Sequence, residues 1–387
     1  MPPKLLVVDD EPDLELLLRQ KFRRKVRKRE LELVFAQNGV QALERLEEHP
    51  DIDVVLSDIN MPEMDGLTLL KQLEDKLNQD LRAVIVTAYG DMKNIRTAMN
   101  RGAFDFVTKP IDFDDLDATI TKTLEQLWIT REALRSRDEL VAIRQELNVA
   151  AKMQESVLPK TFPSDDRFSI YAWMTPAREV GGDFYDVFQL ENGRMGLVVA
   201  DVSGKGVPAA LFMMISRTVL KGTAIGENDV GVALTEANDL LSESNDESMF
   251  VTVFHASFDP ASGRLWYANA GHNPPVLIRA SGEAGFLEVD PGVIMGALPG
   301  MKYEPAFVDL EPGDGILMYT DGVSEAMNAD NEEFGNDRLL EALRSVAGRP
   351  ASDIVRVTVE EVEDFVDMAP QHDDITCLAV SYTGNQS

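Results

Sequence analysis

Acidic residues follow apolar segments at several points in the C-terminal part of the sequence. They are Asp183 in EVGGDFYDVF, Asp201 in ADVSGKGVPAAL, Asp321 in GILMYTDGVSEA, and the pair Asp373 and Asp374 in QHDDITCLAV. Because strands from distant parts of a chain can end at one edge of a sheet, we expect these carboxylates to lie close together. Carboxylates without matched lysines, cysteines or spaced histidines favour hard ions such as Mg²⁺ or Mn²⁺. Two such ions would activate a water molecule to attack phosphorus directly, so no Ser, Cys or His nucleophile is required.

The first 122 residues contain a second group of polar residues at the ends of apolar segments. Asp9 and Asp10 follow the first segment, Asp58 ends the third, Thr87 lies in the fourth and Lys109 ends the fifth. A carboxylate, a hard cation, a hydroxyl and an ammonium group around one point can form an aspartyl phosphate. The carboxylate attacks phosphorus, while the cation and the lysine stabilise the phosphoryl charge. This pattern predicts a magnesium-dependent phosphoacceptor site.

The elements that must position this second group alternate in type. Five short apolar segments, KLLVV, LELVFA, VVLSD, AVIVTA and FDFVTK, are separated by amphipathic stretches. Such alternation is typical of a five-stranded, doubly wound parallel sheet, an α/β fold. Ligands of these sheets bind beyond the C-terminal ends of the strands, where the polar residues lie. We therefore expect an α/β domain over residues 1–122.

A helical linker is predicted over residues 123–159. The chain contains no Pro or Gly from Phe113 until Pro159. Apolar residues recur every seven positions and are followed by an out-of-phase stripe over residues 143–157. The first stripe comprises Ile120, Leu127, Leu134 and Val141. Two interpretations stay open: a helix packed on its own domain, or a coiled-coil stalk of a homodimer with Leu127 and Leu134 in the contact.

Composition excludes several classes of partner. The 387-residue chain is long enough for two or three domains and has a net charge of -30, most of it after residue 158. Such an acidic surface disfavours nucleic acid as a partner. No run is apolar enough to span a membrane and no secretory signal begins the sequence, so we expect a cytoplasmic protein. The single cysteine, Cys377, lies in an apolar run and is predicted to be a buried, inert thiol.

The N-terminal motifs VVDDEP, DINMPEMDG, TAY and TKP resemble those of response-regulator receiver domains, over residues 4 to about 122. The resemblance implies a sensor histidine kinase as partner, Asp58 as the phosphoacceptor and Phe106 as the aromatic switch position. The residues that it assigns to Mg²⁺ or to the phosphoryl group are Asp9, Asp10, Asn60 through its backbone carbonyl, Thr87 and Lys109.

The C-terminal motifs VGGDFYD, ADVSGKG, AGHNPP, YTDG and DDIT resemble the SpoIIE-type branch of the metal-dependent protein phosphatase 2C family, over about residues 160–384. The resemblance implies an α+β fold, a β-sandwich flanked by helices. It also implies two Mn²⁺ or Mg²⁺ ions and a substrate phosphorylated on Ser or Thr. Asp201 would bridge both ions, and the other implied ligands are Asp183, the Val202 carbonyl, Asp321, Asp373 and Asp374. A diguanylate cyclase also has Gly-Gly-Asp, but its signature continues with an acidic residue where this chain has Phe184.

These patterns together predict a two-component response regulator with an enzymatic output. Residues 1–122 would be the receiver, 123–159 the linker and 160–387 the phosphatase domain. Phosphorylation of Asp58 would control dephosphorylation of a partner, which the resemblance indicates is a STAS-type anti-sigma-factor antagonist. The alternative is a catalytically silent module that only binds a partner. Loss of a metal-binding aspartate would favour that alternative, but all four are present.

Overall fold

The computed structural model describes residues 2–74, 81–88, 90–191, 193–243, 245 and 247–384. The last residue of the TAY motif lies outside this part of the chain. The structure divides into two compact units, residues 1–143 and 144–387. None of the helices in the described residues combines the length and the apolar character that a membrane span requires.

The first unit contains the predicted parallel sheet, with the strand order β2-β1-β3-β4-β5. Its strands are β1 (Lys4–Val8), β2 (Glu32–Ala36), β3 (Val54–Asp58), β4 (Arg82–Ala88) and β5 (Asp105–Lys109). The intervening helices are α1 (Pro12–Lys21), α2 (Arg23–Arg27), α3 (Gly39–Glu48), α4 (Gly66–Gln72) and α5 (Met92–Asn100). Strand β3 is buried along its whole length, as expected for a sheet covered by helices on both faces.

Short polar residues define where these helices begin. Asn38, Asp65 and Asp91 each accept a hydrogen bond from a backbone N–H in the first turn, at the starts of α3, α4 and α5. Such caps satisfy N–H groups that have no partner inside the helix. Because β1, β3, β4 and β5 are parallel, their C-terminal ends lie at the same edge of the sheet.

The long helix α6 (Phe113–Val157) begins ten residues before the predicted linker. Its first turns belong to the core of the first unit, because Leu116, Ile120 and Leu124 pack in the same apolar cluster as residues of the sheet. Arg131 extends this packing, with its Nη1 atom 2.6 Å from Oδ1 of Asp53. The helix therefore packs on its own domain as far as residue 131.

The expected dimer contact needs a correction at Leu127. This side chain is 0% exposed, so it cannot pack against a second copy. The helical phase that places Ile120 in the core also buries Leu127, one heptad later. Leu134 and Val141 are 37% and 48% exposed, and the dimer stays a prediction that concerns this part of α6 alone.

The second unit contains two antiparallel sheets, with the strand orders β14-β11-β10-β9-β8 and β13-β12-β15-β16-β7-β6. The first sheet comprises β8 (Phe184–Gln189), β9 (Met195–Val202), β10 (Val251–Asp259), β11 (Arg264–Ala270) and β14 (Ala306–Asp309). The second comprises β6 (Ser164–Asp165), β7 (Phe168–Thr175), β12 (Val276–Ile278), β13 (Ala284–Phe286), β15 (Gly315–Tyr319) and β16 (Ile375–Tyr382). The helices are α7 (Val207–Gly226), α8 (Val230–Ser242), α9 (Asp321–Ser324), α10 (Gly335–Arg344) and α11 (Ala351–Val366).

Apolar packing arranges these elements as a sandwich between helices. One core joins the two sheets to α7 and α8, and another joins β12, β15 and β16 to α10 and α11. This is the predicted α+β sandwich. Cys377 is fully buried in β16, and burial raises the pKa of its thiol to about 12, so it is the inert core thiol that the sequence predicted.

Candidate functional sites

The ends of four strands of the sandwich bring the acidic residues of the second unit together. Asp183 precedes β8 and Asp201 lies near the end of β9, and these strands are antiparallel neighbours. Asp321 begins α9 directly after β15, and Asp373 precedes β16, which pairs with β15. Each pair therefore lies at the same end of its sheet. We call this group, Asp183, Asp201, Asp321 and Asp373, the carboxylate cluster.

The cluster concentrates negative charge in a poorly solvated place. Burial raises the pKa of Asp183 well above its ordinary value, and the charges of Asp201 and Asp374 raise it further. Burial also raises the pKa of Asp201 to about 7, followed by repulsion from Asp321 and Asp373. Such groups stay ionised at neutral pH only when cations compensate them. The donor set therefore fits hard divalent ions.

Two threonines that the sequence analysis did not single out hold Asp183 in place. The hydroxyls of Thr320 and Thr376 donate to Oδ2 of Asp183 at 2.6 and 2.8 Å. The backbone N–H of Thr376 in turn donates to the Thr320 hydroxyl oxygen at 3.0 Å. Thr320 directly precedes Asp321, and Thr376 lies two positions after Asp374. This proximity to the acidic motifs was the available signal.

The second aspartate of the DDIT motif is bound by the backbone. The Asp374 carboxylate accepts hydrogen bonds from the N–H groups of Ala177, Gly182 and Asp183, at 2.7, 2.7 and 3.3 Å. A Cβ atom on Gly181 would collide with Oδ2 of Asp374, and one on Gly182 would lie 2.9 Å from the carbonyl oxygen of Val202. The two glycines of VGGD are therefore required by close approach. Through these backbone hydrogen bonds, Asp374 holds the loop before β8 in place.

Asp373 has a different environment. Its Oδ2 atom accepts a hydrogen bond from Nζ of Lys205 at 2.8 Å, and Lys205 also donates to the His372 carbonyl at 2.7 Å. Its charge raises the pKa values of Asp201 and Asp321. Asp373 thus pairs with a lysine at the rim, whereas Asp374 is held by backbone N–H groups of the loop before β8.

The last turns of α6 reach the same loop within the second unit. Gln154 is 6% exposed, and its Nε2 donates to the Gly181 carbonyl at 2.6 Å. The Gly181 N–H donates back to Oε1 of Gln154 at 3.1 Å. The helix is therefore tied to a residue two positions before Asp183. A lone Gln in a polar helix gives no sequence signal for this role.

His272, from the AGHNPP motif, links the two sheets beside the cluster. Its Nε2 donates to the Tyr319 carbonyl at 3.1 Å, and the Thr252 hydroxyl donates to its Nδ1 at 2.8 Å. Burial lowers the pKa of His272 to about 4, so the ring is neutral. With both nitrogens engaged, His272 positions the strand end before Asp321.

The first unit holds a tighter acidic group. Ligand atoms of Asp9, Asp10 and Asp58 lie within 4.8 Å of one another, and no other such trio occurs among the residues described by the structure. Nζ of Lys109 lies 2.7 Å from Asp58, 3.1 Å from Asp9 and 3.0 Å from Glu11. Burial alone lowers the pKa of Lys109, but these hydrogen bonds outweigh it and raise the pKa above its ordinary value. Glu11, within the VVDDEP motif, was not singled out from the sequence.

The remaining predicted receiver residues surround this group or its strands. Thr87 is fully buried in β4, and its hydroxyl has no hydrogen-bond partner among the described residues. An unpaired buried hydroxyl costs free energy, so it suits an added acceptor such as a phosphoryl oxygen. The backbone N of Asn60 lies 3.4 Å from Oδ1 of Asp58, and Phe106 on β5 is 37% exposed.

Comparisons with known proteins match both units. A model described as "Response regulator receiver domain" matches residues 5–121, and one described as "Stage II sporulation protein E (SpoIIE)" matches residues 191–383. The chain belongs to the response regulator receiver family, and its second unit matches the SpoIIE model. It joins a receiver domain to a SpoIIE-type protein serine/threonine phosphatase domain.

Individual relatives agree with this assignment. The chain is 32% identical to protein IcfG of Synechocystis sp., over 61% of this chain and 41% of IcfG. It is 27% identical to phosphoserine phosphatase RsbU of Bacillus subtilis, over 62% of this chain and 70% of RsbU. The sporulation initiation phosphotransferase F of B. subtilis is 34% identical, over 32% of this chain and 95% of that protein. The chain thus spans less than half the length of IcfG.

One solved structure supports the fold of the second unit. The SiaA-PP2C domain of Pseudomonas aeruginosa superposes with a TM-score of 0.56 at 24% identity, over 63% of this chain and 98% of that domain. This likeness confirms the predicted phosphatase 2C-like sandwich.

Proposed function

We propose that this chain is a response regulator in which phosphorylation of Asp58 controls the hydrolysis of phosphoserine or phosphothreonine on a partner protein. The observation that carries the proposal is the convergence of the carboxylate cluster, whose members lie at the ends of four different strands. The resemblance and the name of RsbU support a phosphoprotein substrate, which we propose is a STAS-type anti-sigma-factor antagonist.

The cluster is proposed to hold two divalent ions, Mn²⁺ or Mg²⁺. Asp201 would bridge them, and Asp183, Asp321, Asp373 and the Val202 carbonyl would complete the protein ligands. Asp374, named as a ligand from the sequence, is better assigned to the loop, because backbone N–H groups occupy both of its oxygens. When bound, such ions lower the pKa of a water molecule and stabilise negative charge on phosphoryl oxygens.

The chain itself orients these groups and bears the substrate charge. Thr320 and Thr376 fix one oxygen of Asp183, which leaves the other oxygen to face the cluster. The side chain of Lys205 is 42% exposed at the rim, where its ammonium group would meet a phosphate. We propose that this lysine is a basic group for the substrate phosphate.

The receiver site is proposed to accept a phosphoryl group from a histidine kinase. A carboxylate oxygen of Asp58 would bond to phosphorus as the bond between phosphorus and the kinase histidine breaks. Lys109 already lies 2.7 Å from Asp58, and the unpaired Thr87 hydroxyl would donate to a phosphoryl oxygen. Asp9, Asp10 and the Asn60 carbonyl would hold Mg²⁺, since carboxylates and carbonyls are the oxygens this ion prefers.

Helix α6 is the proposed connection between the two events. Its first turns contribute Leu116 to the receiver core, and its last turns lie in the second unit, where Gln154 holds Gly181. Phosphorylation need only favour one packing of α6 by a few kcal/mol to change how the loop before Asp183 is held. Exposed Leu134 and Val141 would form the contact of a homodimer in this mechanism.

The test is phosphate release from phosphorylated STAS-domain proteins by the full chain, with Mn²⁺, before and after treatment with acetyl phosphate. We expect activity that requires Mn²⁺ and changes after treatment. The Asp201→Asn variant should lack this activity. Asp337→Asn, which changes an exposed acid of α10, serves as its control for the loss of one negative charge. Binding of the partner without any Mn²⁺-dependent release would instead favour the silent binding module.

A further inference from the structure

A cavity of about 220 Å³ opens beside the carboxylate cluster, within the second unit. It lies between α9, the C-terminal half of α11 and the segment that leads into β16. Gly322 and Asp373 are among its lining residues, so the cavity shares a wall with the proposed phosphatase site. The mechanism proposed above does not use this space.

The lining combines two kinds of surface. Trp173, Val362, Val366 and Ile375 contribute apolar walls. The lining carboxylates are those of Glu325, Glu363, Asp367 and Asp373, of which Asp373 already pairs with Lys205. No Lys or Arg is among the described residues that line the cavity. Glu363 is exposed, and the Lys205 charge that acts on Glu325 comes from a residue outside the lining.

The shape of this lining suits a long cationic side chain. Lys and Arg have apolar stems that pack on apolar walls and charged heads that seek carboxylates or water. A small metal ion fits less well, because the lining carboxylates do not form a trio with ligand atoms within 4.8 Å among the residues that the structure describes. The net charge of -30 further favours a basic segment as the approaching group.

We propose that the cavity is a substrate subsite that receives a lysine or arginine side chain lying close to the phosphorylated residue. This inference rests on the proposed phosphatase function and adds a sequence preference to it. An extended chain advances by roughly 3.3 to 3.6 Å per residue, so the basic residue would lie within about two positions of the phosphoserine.

The experiment uses synthetic phosphoserine peptides and the full chain with Mn²⁺. Lys, Met or Glu is placed in turn at each of the two positions on either side of the phosphoserine, and kcat/KM is measured. Met has a similar length to the lysine stem without the charge. We expect Lys to be preferred over Met by about five- to tenfold at one position, mainly through KM, since each partly exposed ion pair contributes a few-fold. Glu at that position should be the poorest.

Variants then locate the preference. E325Q combined with E363Q should bring the ratio of Lys to Met close to one, and E363K should shift the preference toward Glu. E361Q is the matched control, because Glu361 is exposed on the same helix and does not line the cavity. The ratio is measured within each variant, so a general change in activity does not affect it.

The outcomes separate this inference from the function on which it rests. If para-nitrophenyl phosphate is hydrolysed and all peptides have equal kcat/KM, the subsite is overturned while the phosphatase function stands. A Lys preference that survives in the double variant would also overturn it. Hydrolysis of neither para-nitrophenyl phosphate nor any peptide would overturn the phosphatase function itself, and the subsite with it.

Discussion

The two acidic sites differ in how their charge is balanced. In the receiver, Lys109 makes hydrogen bonds to Asp9, Glu11 and Asp58, so an ammonium group lies inside the acidic group. In the phosphatase domain, Lys205 lies at the rim of the cluster, where it donates to Asp373 and to the His372 carbonyl. The pKa of Asp201 is accordingly raised to about 7 by burial and by its acidic neighbours. The receiver site suits one cation and a covalent phosphoryl group, whereas the phosphatase cluster requires more positive charge than the protein provides.

The largest expected effect tests whether the cluster depends on cations. Asp201→Asn should lower phosphoprotein hydrolysis by about 10³-fold or more, because a bridging carboxylate would hold both ions. Phosphate release and Mn²⁺ binding by calorimetry are the measurements, with Asp337→Asn as the control. Full activity in the Asn variant would contradict the two-ion assignment.

The second prediction tests the covalent role of the receiver site. Asp58→Ala should abolish labelling by acetyl phosphate and its effect on phosphatase activity, because the variant lacks the carboxylate proposed to attack phosphorus beside Lys109. Labelling should also require Mg²⁺, so a chelator provides the control. Persistent labelling of the Ala variant would place the phosphoacceptor elsewhere.

The third prediction concerns stability without divalent ions. A carboxyl group whose pKa rises from 3.8 to about 7 on folding stabilises the folded state fully below pH 3.8, and this contribution is lost as the pH rises to about 7. With a chelator present, the free energy of unfolding of the phosphatase domain should therefore fall by a few kcal/mol as the pH rises between these values, at roughly 1.4 kcal/mol per unit of pKa shift. The unfolding temperature should fall with it.

Scanning calorimetry with and without Mn²⁺ measures this effect. Added Mn²⁺ should remove most of the pH dependence, and Asp201→Asn, which cannot titrate, should remove the part that Asp201 contributes. A pH dependence that is unchanged in the Asn variant would show that other groups cause it.

The smallest expected effect sharpens the link between the two sites. Gln154→Ala removes both hydrogen bonds to Gly181 and should reduce phosphatase activity by up to roughly thirtyfold, given about 1 kcal/mol for each lost buried bond. It should also weaken the response to Asp58 phosphorylation. Gln145→Ala, an exposed position on the same helix, is the matched control. Equal activity and equal regulation in the two variants would exclude Gln154 from the connection.

Much of the fold follows from local pattern. Strands β1 to β5 were predictable because each is a short apolar segment, and a parallel sheet buries both faces of its strands. Asp9, Asp58, Thr87 and Lys109 were predictable because polar residues at the ends of such strands must meet at one edge. The heptad stripe of α6 was ambiguous, since a helix buries the same face whether it packs on its own domain or on a second copy. Leu127 shows that the first alternative holds there.

The sequence by itself determined which residue types are available and which of them follow strands. It could not decide between Asp373 and Asp374, which are neighbours in the chain, because that choice depends on backbone N–H groups 191 and more positions away. Nor could it reveal that Gln154 holds Gly181, or that Thr320 and Thr376 share an oxygen of Asp183. Local periodicity reports which side of an element is buried. Only the tertiary structure decides which polar atoms meet there, since hydrogen bonds depend on distances of a few tenths of an ångström between segments far apart in sequence.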